Sequence, residues 1–146
     1  MDELVNKFGK EITNKPQWKA SANFTIHKNL PIKYLIDGSN TSSSFGSKEK
    51  RTKGQAITIE LPSAAYISEV VVDSKGLADH YSRFYTIEFS VDGVNWDVVI
   101  NKPNAVEFNR DQTLGQKAKF VRITNQVGGN RRQWRLKEVS LFGSYL

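Results

Sequence analysis

The chain has 146 residues, 38% hydrophobic, 25% charged and 11% aromatic, with a net charge of +6; this is one domain with enough apolar side chains for a core, and it argues against a disordered tail. Cysteine is absent and only His27 and His80 represent histidine, which excludes a disulfide scaffold, a thiolate zinc site, a cysteine nucleophile and a zinc site with three histidine ligands. No run approaches the roughly 18 apolar residues of a membrane-spanning helix, and the charged opening at Met1 carries no apolar stretch of the kind a secretory signal needs.

Residues 1–15 read as a leader or linker, with Leu4, Val5 and Phe8 on one stripe of a short helix that ends near Gly9. Pro16 follows, and residues 16–146 form the expected domain. From Trp18 onward the pattern is β. Ile57, Ile59 and Leu61 alternate with Thr58 and Glu60, as in a half-buried strand. Tyr66 to Val72 is rich in β-branched residues. Tyr85, Ile87 and Phe89 alternate with Thr86, Glu88 and Ser90; Asp92-Gly93 marks a turn, and Trp96 to Ile100 starts the returning strand. Val106 and Phe108 predict a short strand. Phe120, Arg122 and Thr124 alternate with Val121 and Ile123, and Leu136 to Phe142 closes the chain with Val139 and Leu141 inward. About eight short strands with no helix in the body predict an all-β sandwich or barrel.

Residues 38–54, 75–83 and 125–133 are polar and contain glycine, and they read as long loops, the usual seat of binding sites on a rigid sandwich. Two of them hold the excess charge: Lys48, Glu49, Lys50, Arg51 and Lys53 in one segment, Arg131, Arg132, Arg135 and Lys137 in the other. Charge concentrated in this way points to an anionic partner, or to a solvated surface that keeps the protein soluble. Catalytic motifs are absent: no phosphate-binding glycine loop, no nucleophile serine between glycines, no paired-histidine helix. Glu60, Asp73, Asp79, Glu88 and Asp92 are available carboxylates, but no spacing ties any two together, so the expectation is a protein without catalysis.

The order of local patterns is more specific. Trp18-Lys19-Ala20-Ser21-Ala22 is followed by Leu35-Ile36-Asp37-Gly38-Ser39, by Phe45, and by Gly54 to Leu61. Then come Tyr85 to Trp96, Lys119 to Ile123, and Leu136-Lys137-Glu138-Val139-Ser140-Leu141-Phe142-Gly143. This series resembles the coagulation factor 5/8 type C, or discoidin, domain, and is most similar to the bacterial branch with the family-32 carbohydrate-binding modules. The resemblance covers residues 16–146. It implies a galactose-binding-like jelly roll of two antiparallel sheets and a ligand held among loops at one end, here 38–54, 75–84 and 125–134.

Sugar rings present an apolar C–H face and a rim of hydroxyls, so their recognition needs an aromatic platform and a few fixed donors and acceptors. Trp134, beside Arg131 and Arg132, is the first candidate platform, with packing in the core as its competing role. Trp18 and Trp96 read as framework. Asp79, His80, Tyr81 and Arg83 form a second cluster: neutral His80 for a hydroxyl, the Arg83 fork for adjacent hydroxyls or a carboxylate, or else Arg83 paired with Asp79 to brace the loop. Arg51, Lys53, Arg131 and Arg132 are candidates for an acidic group, and Asn125 for an amide contact or a turn. The resemblance further implies a structural calcium, with Asp37, Asn40, Ser42 and Glu138 as side-chain ligands and the Tyr34 or Leu35 carbonyl nearby.

The resulting expectation is a glycan- or polysaccharide-binding module within a larger exported protein that supplies catalytic or receptor domains. The expected location is extracellular or the cell surface, the export signal having been removed. Membrane insertion and a nucleic-acid partner are not expected. The competing functions are a protein-interaction or adhesion module and a binder of anionic lipid or nucleic acid through the basic loops.

Overall fold

The computed structural model describes residues 10–39, 43–128 and 131–146. Among the described residues there are nine strands: β1 (Lys10–Glu11), β2 (Lys19–Ala22), β3 (Phe45–Lys50), β4 (Ala56–Asp73), β5 (Tyr85–Ser90), β6 (Asp97–Lys102), β7 (Phe108–Asn125), β8 (Gln133–Leu136) and β9 (Glu138–Tyr145). Helical structure among the described residues consists of three 3-10 turns, Lys15–Gln17, Ile32–Ile36 and Ala78–His80. Every pairing is antiparallel. The large sheet runs β1-β9-β4-β7-β5-β6, with β2 added on β4, and β3 pairs with β8 in a separate two-stranded sheet.

The period-2 patterns bury the side chains expected of them. Ile57, Ile59 and Leu61 of β4, Ile87 and Phe89 of β5, Val121 and Ile123 of β7, and Val139 and Leu141 of β9 meet in one core. Burying each such side chain contributes about 1.5–3 kcal/mol. The strands themselves are longer than the patterns predict. The runs at residues 57–61 and 66–72 are one strand, β4, with a register shift between Glu60 and Ala65. Pro62 lies in that shift and has no N–H to give to a ladder. The break lets the first half of β4 carry β2 and the second half carry β9. Val106 is exposed and outside any strand, whereas Phe108 opens the long β7.

Two expectations are corrected. The leader is part of the domain from Lys10 onward: Lys10 and Glu11 pair with Gly143 and Phe142 of β9, Ile12 joins the core, and Lys15 is buried. Residues 1–9, with Leu4, Val5 and Phe8, lie outside the described residues. The polar segment 38–54 is not wholly loop, since Phe45–Lys50 forms β3 against β8. Its sequence, Phe-Gly-Ser-Lys-Glu-Lys, has no apolar alternation to announce a strand. Phe45, Gly46 and Ser47 are nonetheless buried. A Cβ at Gly46 would stand 2.5 Å from Leu30 Cδ1, so any larger residue there requires the half-buried Leu30 side chain to move.

The Asp92-Gly93 turn joins β5 to β6 as expected. Asp92 Oδ1 accepts the N–H groups of Val94 and Asn95, each at 2.8 Å. The Asn95 and Val94 N–H groups hold this carboxyl well below the usual carboxylate range.

Candidate functional site

The β3–β8 pairing brings the two basic segments side by side. Lys50 faces Gln133, Gly46 faces Arg135, and the Arg51 N–H donates to the Arg132 carbonyl at 2.8 Å. The 3-10 turn Ala78–His80 lies against the same end through the Arg51 guanidinium, whose Nη1 donates to the carbonyls of Asp79 and of Gln133, the latter at 3.1 Å. Arg51 is only 5% exposed. It joins three loops and has no open face for an anion, which corrects its expected role as a ligand contact. Burial, and next Arg83, lower its pKa, while the Asp79 carboxylate pulls the other way.

Asn125 is corrected in the same sense. It is fully buried, and its side-chain amide is committed on both sides. Nδ2 donates to the carbonyls of Thr52 at 3.0 Å and Val127 at 2.7 Å, and Oδ1 accepts the Ser82 hydroxyl at 2.5 Å. Its backbone closes the same junction, accepting from Gly54 N–H and donating to the Gln55 carbonyl, both at 2.8 Å. One amide therefore staples the loops around residues 52–55, 82–84 and 126–127.

Trp134, the expected platform, is also corrected: it is 1% exposed. Its backbone N–H donates to Ser47 Oγ at 2.9 Å, and its ring packs against Phe24 with centroids 5.8 Å apart. A signal for this lay in the sequence. Gln133-Trp134-Arg135-Leu136 alternates, so Trp134 shares the inward face of Leu136. Trp18 is buried with Nε1 on Asn14 Oδ1, and Trp96 lies half-buried under the Arg122 guanidinium, 4.0 Å from its ring centre.

What stays accessible at this end is the cluster after β4. Tyr81 is half-buried, and the Arg83 guanidinium lies 4.9 Å from its ring centre. Arg83 Nη2 stands 3.4 Å from Asp79 Oδ1, with both side chains more than half exposed. That ion pair contributes less than about 1 kcal/mol and opens readily. His80 is half-buried beside them. Burial, then Arg135, lower its pKa, so the ring is neutral at pH 7, although the Gln133 backbone favours the charged form. Arg131 and Arg132 are exposed at the same edge. The cluster thus holds an aromatic ring, a forked donor, a carboxylate and a neutral imidazole on loops braced by Arg51.

Of the expected metal ligands, Asp37 and Glu138 meet side chain to side chain. Asn40 and Ser42 lie outside the described residues. Asp37 is exposed and its Oδ1 accepts the Ser39 N–H at 2.9 Å. Glu138 is buried, and its Oε2 accepts both the Lys15 ammonium and the Gly38 N–H, the latter at 3.0 Å. Its other oxygen, Oε1, is enclosed and meets no donor among the described residues. Burial pushes the Glu138 carboxyl up to about 7, against the pull of Lys15 and the Gly38 N–H. No group of three or more His, Asp or Glu side chains able to hold a metal occurs among the described residues.

Sequence reasoning missed a second polar site. A groove of about 520 Å³ crosses the large sheet, lined by residues that include Ser21, Thr58, Thr86, Glu88, Arg122 and Gln126. At its centre the buried Glu88 carboxylate accepts from Arg122 Nε and Thr124 Oγ1 through Oε1, each at 2.7 Å, and from Thr86 Oγ1 through Oε2 at 2.6 Å. The alternation on β5 and β7 puts these residues on one outward face, but the assembly across two strands is visible only once the register is known.

The F5/8 type C domain model matches residues 17–138. Among curated proteins the chain has no match. Three similar solved structures carry the same fold. CpGH89CBM32-5 from Clostridium perfringens, in complex with GalNAc-beta-1,3-galactose, is 20% identical with a TM-score of 0.78, over 92% of this chain and 100% of that one. Chitosan-binding module 2 from a Paenibacillus sp. IK-5 chitosanase/glucanase, in complex with chitotriose, is 21% identical with a TM-score of 0.77, over 87% and 97%. A family 89 glycoside hydrolase from Clostridium perfringens is 22% identical with a TM-score of 0.73, over 94% of this chain and 15% of the enzyme. The sandwich is therefore of the galactose-binding-like type found in family-32 carbohydrate-binding modules, and the chain belongs to the F5/8 type C domain family.

Proposed function

We propose that the chain is a non-catalytic glycan-binding module that holds its ligand at the loop end, through Tyr81, Arg83, Asp79 and His80, with Arg131 and Arg132 beside them. The observation that carries the reading is the pairing of the Tyr81 ring with the Arg83 guanidinium on a braced, accessible loop. A ring and a fork together match the apolar face and the vicinal hydroxyls of a pyranose. The exposed arginines favour a glycan with carboxylate or sulfate groups. The sugars held by the related modules support the glycan class. The related enzyme, in which the matching part is 15% of the length, supports a place within a larger exported protein, outside the cell or on its surface. There the module would raise the local concentration of an attached catalytic domain at its substrate.

Affinity electrophoresis on neutral and acidic polysaccharides, at low and high salt, tests this reading. Retention by selected glycans is expected to survive high salt and to fall about tenfold or more in Tyr81→Ala, the equivalent of about 1.4 kcal/mol. The contiguous basic segments favour the competing reading, a general polyanion surface. That reading predicts retention by every acidic polymer, lost at high salt and indifferent to Tyr81.

A further inference from the structure

The groove on the large sheet is built by register. Ser21 of β2 faces Thr58 of β4, Thr58 faces Arg122 of β7, Arg122 faces Glu88 of β5, and Glu88 faces Val98 of β6. This row crosses the neighbouring strands β2-β4-β7-β5-β6, a span of about 19 Å at the usual strand spacing. A second row, Ala56, Thr124 and Thr86, runs beside it, and Asn23, Gly54 and Gln126 complete the polar lining. Ile57, Ile87 and Ile123 fill the core, so by alternation both rows face out of the sandwich. Most of these side chains are short, which leaves the trough of about 520 Å³ open above them.

The polar groups divide into a fixed set and an open set. Glu88 is 5% exposed and is held by Arg122, Thr124 and Thr86. Gln126 Nε2 donates to Thr86 Oγ1 at 3.0 Å. Arg122 is fixed twice, by its Nε bond to Glu88 and by the Trp96 ring 4.0 Å from its guanidinium carbon. Its terminal nitrogens, and the hydroxyls of Ser21 and Thr58, form no hydrogen bond to another described residue. Ser21 is exposed, and Thr58 and Arg122 are half-buried. An arginine already ordered by its neighbours offers its remaining donors to a ligand at little further cost in entropy.

The charge and the shape select the ligand. Among the described residues, Glu88 and Arg122 are the groove's ionisable side chains and they pair, so the groove itself carries no net charge for an anion. A bound peptide takes its affinity from a free strand edge or from apolar pockets. Here β4, β7 and β5 are each paired on both sides, and the apolar contribution is confined to small surfaces such as Ala56 and Val98. Hydroxyl and guanidinium groups spread along a trough suit a ligand that is itself an uncharged row of hydroxyls, with Ala56 and Val98 against its C–H faces. We infer that the sheet face is a second glycan site, which takes an internal stretch of a neutral polysaccharide chain laid across the strands. It stands apart from the loop end, whose exposed arginines favour acidic groups.

Affinity electrophoresis at high salt on hydroxyethyl cellulose, mixed-linkage β-glucan and galactomannan tests this, with two variants to separate the sites. Tyr81→Ala disables the loop end. Thr58→Tyr fills the groove from an outward, half-buried position and leaves the core untouched. The expected result is that at least one neutral polymer retains wild type and Tyr81→Ala alike, and that Thr58→Tyr weakens this retention about tenfold. Retention by acidic polymers is expected to be the same in Thr58→Tyr as in wild type. No retention by any of the neutral polymers, retention that Tyr81→Ala abolishes, or retention that Thr58→Tyr leaves intact would each overturn the inference. Should Thr58→Tyr fail to fold, amide shifts of the wild-type chain with a fragment of the retaining polymer decide. Shifts at Ser21, Thr58, Thr86, Arg122 and Gln126 support the groove, and shifts confined to Asp79–Arg83 overturn it. Failure of the loop-end reading has a different signature, retention by acidic glycans that is indifferent to Tyr81.

Discussion

Single side chains decide the shape of the loop end, and the most connected of them is Asn125. Its amide holds the Thr52 and Val127 carbonyls and the buried Ser82 hydroxyl. In Asn125→Ala the three bonds are lost; Ser82 keeps the Phe84 carbonyl and the Thr52 carbonyl keeps the Gln55 N–H, so the cost is that of the severed loop contacts and of the cavity left by a fully buried side chain. Denaturant unfolding is expected to show a loss of about 2–4 kcal/mol after partial relaxation, with glycan retention weakened as the loops separate. Unchanged stability would mean that the three loops hold their places without the staple. The sequence offers no way to weigh this residue against an ordinary turn asparagine, because its partners lie 43 and 73 positions away. Arg51 was illegible for the same reason: a charge inside a Lys-Glu-Lys-Arg run reads as solvated, and only the neighbouring Asp79 and Gln133 carbonyls make it internal. Trp134 differs, since its alternation with Leu136 marked the inward face from the start.

At the scale of elements, legibility follows periodicity. The alternating runs Ile57–Leu61, Tyr85–Ser90 and Phe120–Thr124 fall within β4, β5 and β7, whereas the expected closing strand Leu136 to Phe142 divides, Leu136 ending β8 and Glu138 opening β9. β3 has no alternation, and β1 is two charged residues; both exist because a partner strand accepts them. Tertiary pairing overrode local pattern in each case. The β4–β9 ladder has a further requirement that no periodicity reveals. At Gly143 a Cβ would lie 1.8 Å from the Tyr66 carbonyl oxygen and 2.9 Å from its carbon. Both are backbone atoms and cannot swing aside. Gly143→Ala must therefore push β9 off β4, near the point where Lys10 joins the sheet. We expect it to cost about 1–3 kcal/mol, with faster amide exchange at Ile67 and Lys10. A variant as stable as wild type would show that the two strands have slack that their close approach denies.

For the whole molecule, the β patterns and the ordered motifs were enough to reach the sandwich and its family, because buried strands leave a periodic trace in the sequence. The site was legible only as a neighbourhood. Asp79, His80, Tyr81, Arg83 and Arg132 do come together: Arg51 bonds the Asp79 and Arg132 carbonyls, the Arg83 guanidinium lies over Tyr81 and beside Asp79, and His80 closes the same 3-10 turn. Which members turn outward depended on packing that the sequence does not encode locally. Fold alone does not choose among ligands, and the sheet-face groove is a polar surface that competes with the loop end. The most direct test is amide chemical-shift mapping while the best-retained polysaccharide fragment is titrated into the full chain at high salt. Saturable shifts centred on Asp79 to Arg83 and on Arg132 and Gln133 are expected. Shifts confined to Ser21–Asn23, Thr58, Thr86–Glu88 and Arg122–Gln126 would move the ligand to the sheet face and contradict the loop-end reading.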